Sequence, residues 1–279
     1  MTDSPEGLTD PEWIRIRLTL GYDGTGYAGW AKQPAHPTIQ GEIEDALHAM
    51  DPAIGSVVCA GRTDAGVHAR TQVIHVDVPR SLWAKRAEDG FVRQLNQLTG
   101  DQIHFRDAMT APEGFDARFS ALSRGYSYRL CDDSNGWDPL FRQWVTRHRR
   151  ELDVSSMAKA AQFLLGEHDF TAFCKPRDGA STVRRMLWVD VCRDGGRRAV
   201  VSLEADAFCH SMVRSIVGAL VAVGERRKEP DWIVDLLAAG KRDSAVTVMP
   251  PEGLVLETIT YPPDELVAQR AAQTRRFRG

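Results

Sequence analysis

The run Cys59-Ala60-Gly61-Arg62-Thr63-Asp64-Ala65-Gly66-Val67-His68-Ala69-Arg70 sets one carboxylate, Asp64, between two glycines. Its immediate neighbours, Thr63 and Ala65, are small, and Arg62 and His68 stand two and four residues away. Glycines at both shoulders permit backbone angles and a close ligand approach that other residues would obstruct. A single carboxylate in such a loop can attack an electrophilic carbon or take a proton. On its own the pattern is only suggestive, because an aspartate in a Gly-x-x-Asp-x-Gly loop more often caps a turn by bonding its own backbone.

The elements that must position this loop are strands. Ser56 to Cys59 is short and β-branched, and Thr71 to Val78 alternates, with Ile74, Val76 and Val78 on one face and Gln72, His75 and Asp77 on or near the other. Upstream, Ile14, Ile16, Leu18 and Leu20 mark a half-buried strand ending in the glycine-rich stretch Gly21 to Tyr27. That stretch lacks both the Gly-Lys-Ser/Thr ending and the Gly-x-Gly-x-x-Gly pattern of nucleotide loops. Thr38 is a plausible N-cap for a helix with Ile39, Ile43, Ala46, Leu47 and Met50 on one stripe. A second helix is expected over 82–98, with Phe91, Val92, Leu95 and Leu98 inward, and a strand over 102–108.

The order β-α-β-β-α-β is that of the split βαβ, or ferredoxin-like, unit. From about residue 120 the pattern returns: a strand from Ser123, a helix with Val154, Met157, Ala161, Leu164 and Leu165 on one side, and strands over 186–192 and 199–205 joined at Asp194-Gly195-Gly196. A helix from Phe208 to Val223, another from Trp232 to Ala239 stopped by Gly240, and a strand from Leu254 to Thr260 complete it. The expected class is α+β. Two ferredoxin-like halves, 13–110 and 111–263, would join into an extended sheet with helices on one side and a central cleft. Residues 1–12 read as a disordered leader and 264–279 as a basic tail, either disordered or helping to hold a ligand.

Composition excludes several classes. The chain is 43% hydrophobic and 26% charged, in the range of a soluble globular protein. It shows no apolar run long enough for a bilayer and no signal peptide, so a cytoplasmic address is expected. The five cysteines, Cys59, Cys131, Cys174, Cys192 and Cys209, include no Cys-x-x-Cys pair, and a reduced, structural state is expected for them. Cys209-His210 lacks further ligands at helical spacing, so neither a metal nor a zinc-dependent deaminase is expected. The net charge of −3 does not announce nucleic acid, but arginines cluster at 147–150, 184–185, 197–198 and 226–227, and a focused arginine groove can bind RNA despite an acidic total.

The run Gly61 to His68 resembles the signature loop of the TruA family of tRNA pseudouridine synthases. Other segments carry the same resemblance: Tyr22-Asp23-Gly24-Thr25 with Gly29-Trp30, Tyr126-Ser127-Tyr128, Gly166 to Phe173, Met212-Val213-Arg214-Ser215-Ile216-Val217-Gly218, and Pro250 to Leu256. It covers roughly 13–261. It departs from the family at Ala31, Cys209 and Ser211.

The resemblance implies that Asp64 is the catalytic residue, Arg214 the arginine that pairs with it, and Tyr126 the ring against the target base. Arg62 would take the place of the flipped base and steady phosphates, with His68 beside it as a second substrate contact. It further implies uridine isomerisation in the anticodon stem-loop of tRNA at positions 38–40, a homodimer, and no cofactor. Two other readings compete: a catalytically silent tRNA-binding or RNA-folding protein on the same scaffold, and a carboxylate hydrolase, which would want a second acidic partner.

Overall fold

The computed structural model describes residues 12–133, 136–175, 181–195 and 197–278, without the side chains of Phe277 and Arg278. The expected leader up to residue 11, and Gly196 of the expected hairpin turn, lie outside the described residues. The chain forms two compact units. One comprises the residues up to Thr63, Ala69–Leu122 and Ile259 onward; the other comprises Asp64–His68 and Ser123–Thr258.

The first unit runs β1 (Trp13–Tyr22), α1 (Ile39–Met50), β2 (Val58–Cys59), β3 (His68–Pro79), α2 (Arg80–Leu98) and β4 (Ile103–Thr110). Its strands lie in the order β4-β1-β3, with β2 paired to β3, all antiparallel. This is the ferredoxin-like order that the sequence predicts. Alternation in β1 sends Ile16, Leu18 and Leu20 into the core, and the register sets Ile16 opposite Val76 and Leu18 opposite Ile74. α1 starts where Thr38 accepts a hydrogen bond from Gly41 N, and it buries Ile39, Ile43, Ala46 and Leu47.

α2 is broken at Ala87, whose φ of 55° is non-helical. It buries Phe91 and Leu95 but leaves Leu98 exposed, where the sequence places it inward. β3 is covered on both faces, since Gln72 and His75 are buried as well as its aliphatic residues. His75 Nδ1 accepts from Ala117 N at 2.9 Å, and burial, followed by the charge of Arg15, pushes its imidazole down to about 4.

The tail belongs to this unit. Residues 267–278 form α6 (Val267–Arg278), which buries Val267 beside Ala60, Val73, Phe115 and Ala117. Ser120 Oγ donates to Val267 O at 3.0 Å, and Arg275 reaches Asp116 at 2.8 Å. Disorder, left open by the tail's basic composition, is thereby excluded for α6: an apolar residue every fourth position, Val267 and Ala271, gives it a face to bury.

The second unit runs β5 (Ser123–Cys131), β6 (Thr146–Arg147), α3 (Val154–Gln162), β7 (Gly166–Asp169), β8 (Val183–Arg193), β9 (Ala199–Ala205), α4 (Met212–Gly224), α5 (Trp232–Ala239) and most of β10 (Leu254–Thr260). The strand order β10-β5-β9-β8 repeats the plan of the first unit, extended by β7 on β8 and by β6 on β5. β7 is not among the strands expected from the sequence. Its residues carry no apolar alternation, because it is an edge strand with Gly166, Glu167 and Asp169 exposed.

In α3, Met157 and Ala161 are buried, as is Leu164 beyond its end, whereas Leu165 is exposed, against expectation. α4 starts later than the sequence indicates, at Met212, and is buried almost all round. α5 stops at Gly240, which adopts the left-handed conformation expected of a C-terminal glycine.

Candidate active site

The residues just before Asp64 are fixed within the first unit. Tyr22 OH and Thr63 Oγ1 share a buried hydrogen bond of 2.8 Å, Trp30 N donates to Thr63 O at 3.0 Å, and Gln72 Nε2 donates to Gly61 O at 2.7 Å. The rings of Tyr22 and Trp30 pack at 5.9 Å between centroids. The glycine-rich stretch after β1 therefore serves as a brace for the residues before Asp64. Its own loop is pinned as well, with Tyr27 OH donating to Glu42 Oε2 at 2.6 Å.

Asp64 itself belongs to the second unit, as do its partners. Val67 N donates to Asp64 O at 3.2 Å, a tight turn that Gly66 completes with φ of 74°. A Cβ at Gly66 would also come within 2.9 Å of Pro251 Cγ, so both backbone angle and space require glycine there. The turn aims the carboxylate at the start of α4. Arg214 Nη1 donates to Asp64 Oδ2 at 3.2 Å and Ser211 Oγ donates to the same oxygen at 3.3 Å, while His210 Nε2 lies 3.5 Å from Oδ1. Both carboxylate oxygens thus have a partner, and Asp64 keeps 27% of its side chain open to solvent.

Arg214 is aimed by a second contact. Its Nε donates to Met249 O at 2.6 Å, and Met249 N donates back to Arg214 O at 3.2 Å. The segment carrying Met249 can lie this close only because residue 218, one turn further along α4, is glycine. A Cβ there would collide with the carbonyl oxygen of Thr247. The guanidinium is 18% exposed, so its charge acts on Asp64 with little screening.

Tyr126 lies on β5, 8% exposed, and meets Phe208 edge-on with centroids 5.1 Å apart. Tyr128, on the same face two residues on, is fully buried, its hydroxyl bonded to Thr146 Oγ1 at 2.7 Å and to Pro250 O at 2.8 Å. Tyr128 thus packs within the sheet. Of the remaining sequence candidates, Arg62 is exposed, whereas His68 is 4% exposed at the head of β3. Asp169 binds Thr171 and Thr182 and His168 binds Leu165 O, all local contacts.

Two contacts on Asp64 escaped the sequence reading. Ser211 stands where an N-cap would, but its φ of 61° turns its hydroxyl away from the helix and toward the carboxylate. His210 shares a helical stripe with Arg214 in the sequence, although it lies just before the helix; that shared spacing is the one signal that could have paired it with Asp64. The expectation of five reduced cysteines is overturned. Cys174 and Cys209 form a disulfide, with Cα atoms 5.6 Å apart, while Cys59 and Cys131, both buried, and the exposed Cys192 lie outside any disulfide. Thirty-five residues of intervening chain concealed the pairing.

Residues 160–262 match the family model described as tRNA pseudouridine synthase. The chain is 52% identical over 267 residues to tRNA pseudouridine synthase A of Frankia casuarinae, covering 95% of this chain and 96% of that one. It is 48% identical over 272 residues to tRNA pseudouridine synthase A of Streptomyces avermitilis, covering 96% and 95%. With that of Mycobacterium leprae it shares 41% over 277 residues, covering 96% of each. Identity at this level over nearly the whole of each chain places this protein in the tRNA pseudouridine synthase A family.

Proposed function

We propose that this member of the family isomerises uridine to pseudouridine in the anticodon stem-loop of tRNA, at positions 38–40, with Asp64 as the reacting carboxylate. The reaction breaks the N1–C1′ bond, turns the uracil, rejoins it through C5 and loses the C5 proton. As an isomerisation it requires no redox partner and no energy source. Asp64 acts at the ribose, either by adding at C1′ or by taking a sugar proton, and both routes need it ionised and aimed.

The observation that carries this reading is the grip on Asp64. Arg214 and Ser211 hold Oδ2 while His210 faces Oδ1, and the carboxylate stays partly open to a ligand. Hydrogen bonds of this kind fix the direction in which the carboxylate points. Tyr126, whose ring position is fixed by Phe208, offers the face on which the extruded uracil stacks. Extrusion from a stem costs a few kcal/mol, and Arg62, exposed beside the loop, occupies the vacancy and meets phosphate. The enzyme works as a homodimer in the cytoplasm; among the described residues no helix is long and apolar enough to cross a membrane.

Tritium release from tRNA labelled at uridine C5 tests the assignment. Wild type should release label, and Asp64→Asn should lower the rate by at least about a thousandfold while still binding tRNA. Label release by Asp64→Asn at the wild-type rate would remove Asp64 from the chemistry. No release by either protein would leave the binding-protein reading in its place.

A further inference from the structure

The link between β9 and α4 concentrates contacts to the proposed reacting group in a few consecutive residues. Phe208 meets the Tyr126 ring edge-on, His210 Nε2 lies 3.5 Å from Asp64 Oδ1, and Ser211 Oγ donates to Asp64 Oδ2. Between them stands Cys209, which is bonded to Cys174. The Cα separation of 5.6 Å lies within the span that disulfides bridge without backbone movement. The two segments also meet through the backbone, where Lys175 N donates to His210 O at 3.1 Å.

The ends of this bridge differ in kind. Cys174 follows the 3-10 turn Thr171–Phe173, which is anchored by the buried side chains of Phe170, Ala172 and Phe173, and Cys174 N donates to Thr171 O. Cys174 is itself 1% exposed. Cys209 is partly open to solvent, and its link holds Ser211 in a left-handed conformation that a residue with a side chain adopts only when its surroundings impose it. A fixed, buried sulfur thus holds an accessible one on a segment that needs holding.

We infer that Cys174 and Cys209 form a reversible dithiol–disulfide modification site, closed by exchange with a small disulfide, and that its closure holds Phe208–Ser211 against Asp64. The inference rests on the reading of Asp64 given above. Closure begins at the accessible residue: the Cys209 thiolate attacks one sulfur of the small disulfide, whose S–S bond breaks and releases one thiol. The Cys174 thiolate, its proton given up to solvent, then attacks Cys209 Sγ in the mixed disulfide and expels the second thiol. The two protein thiols are oxidised, the small disulfide is reduced to two thiols, and reduction runs the same steps backward.

The test uses full-length protein carrying Cys192→Ser, which removes the exposed third thiol, equilibrated in mixtures of glutathione and glutathione disulfide. Bridge closure is read by alkylation and mass, the state of the link by amide hydrogen exchange in a peptide covering 206–212, and the chemistry by tritium release. Closure should remove two alkylatable thiols, slow exchange in the link, and raise the release rate about tenfold over the reduced form, since small losses of alignment at a reacting group are costly. Cys174→Ser and Cys209→Ser in the same background should stay at the reduced level in every mixture. Failure of the bridge to close, closure without change in exchange or rate, or a response that survives in the serine variants would each overturn the inference. If exchange follows the bridge while no redox state releases tritium, the tether stands and the isomerase reading falls.

Discussion

Arg193 and Asp132 meet in the second unit as a closed fork: Nη1 donates to Oδ1 and Nη2 to Oδ2, each at 2.7 Å. Leu152 N adds a third donor to Oδ2 at 2.7 Å, and Leu152 O accepts from Arg193 Nη2. The Asp132 side chain is 1% exposed and its acceptor capacity is spent. Arg214 and Asp64 use the same two side chains otherwise. A single Nη1 contact of 3.2 Å joins them, Nε is given to Met249 O, and the carboxylate keeps an open side where His210 stands. A saturated bidentate pair holds chain segments together, whereas a carboxylate that its arginine grips through one contact is oriented yet still able to react.

This contrast breaks if either pair behaves like the other. Asp132→Ala leaves the Leu152 amide without its acceptor and takes the fork from Arg193, and should cost roughly 2 kcal/mol of stability, read by urea unfolding. Turnover per folded molecule should be unchanged; a loss of turnover without loss of stability would put Asp132, not Asp64, at the chemistry. The same pair predicts a pH signature. Burial pushes the Asp132 carboxyl up, but hydrogen bonds from Arg193 and from Leu152 N outweigh it and hold the group below its ordinary 3.8. A depressed folded value means stability that is present above 3.8 and is lost as pH falls through the folded value. Wild type should therefore lose more stability than Asp132→Asn on acidification below that point, measured by unfolding at stepped pH.

Arg214→Lys replaces a fork that serves two oxygens with a point charge that serves one at a time. Single-turnover tritium release should fall by about a hundredfold with little change in unfolding midpoint. A stability loss as large as that of Asp132→Ala would mean that this pair, too, is a structural clamp. The smallest effect is expected at Tyr126. Tyr126→Phe keeps the ring and its contact with Phe208 and should stay within about threefold of wild type, while Tyr126→Leu should raise KM about tenfold through lost base stacking. Equal effects of the two would tie the residue to its hydroxyl instead.

Most of the scaffold was legible because its cues are local. Alternation in β1 and β9, the Thr38 cap and the Gly240 stop each depend on residues within one turn or strand. Asp64 and Arg214 were legible by resemblance alone; their meeting joins residues 150 positions apart. What stayed hidden depends on distant partners. Ser211 has the chemistry of an N-cap and spends it on Asp64, so the start of α4 carries a misleading signal. β7 is defined by hydrogen bonds to β8 and not by any pattern of its own. The brace from Tyr22 and Trp30 to Thr63 likewise arises from how β1 and the loop fold together.

The placement of α6 has a consequence for how this protein is made. The first unit needs Val267 in the cluster with Ala60, Val73, Phe115 and Ala117, and Arg275 on Asp116, so its closing residues leave the ribosome only after the second unit's 123–258. Residues 123–258 are synthesised in between, an interval on the order of ten seconds at ordinary elongation rates. The unit that begins first cannot be the unit that finishes first. The nascent chain carries β1, β3 and their apolar faces incomplete through that interval, and a chain cut before Val267 would leave the first unit without its closing piece.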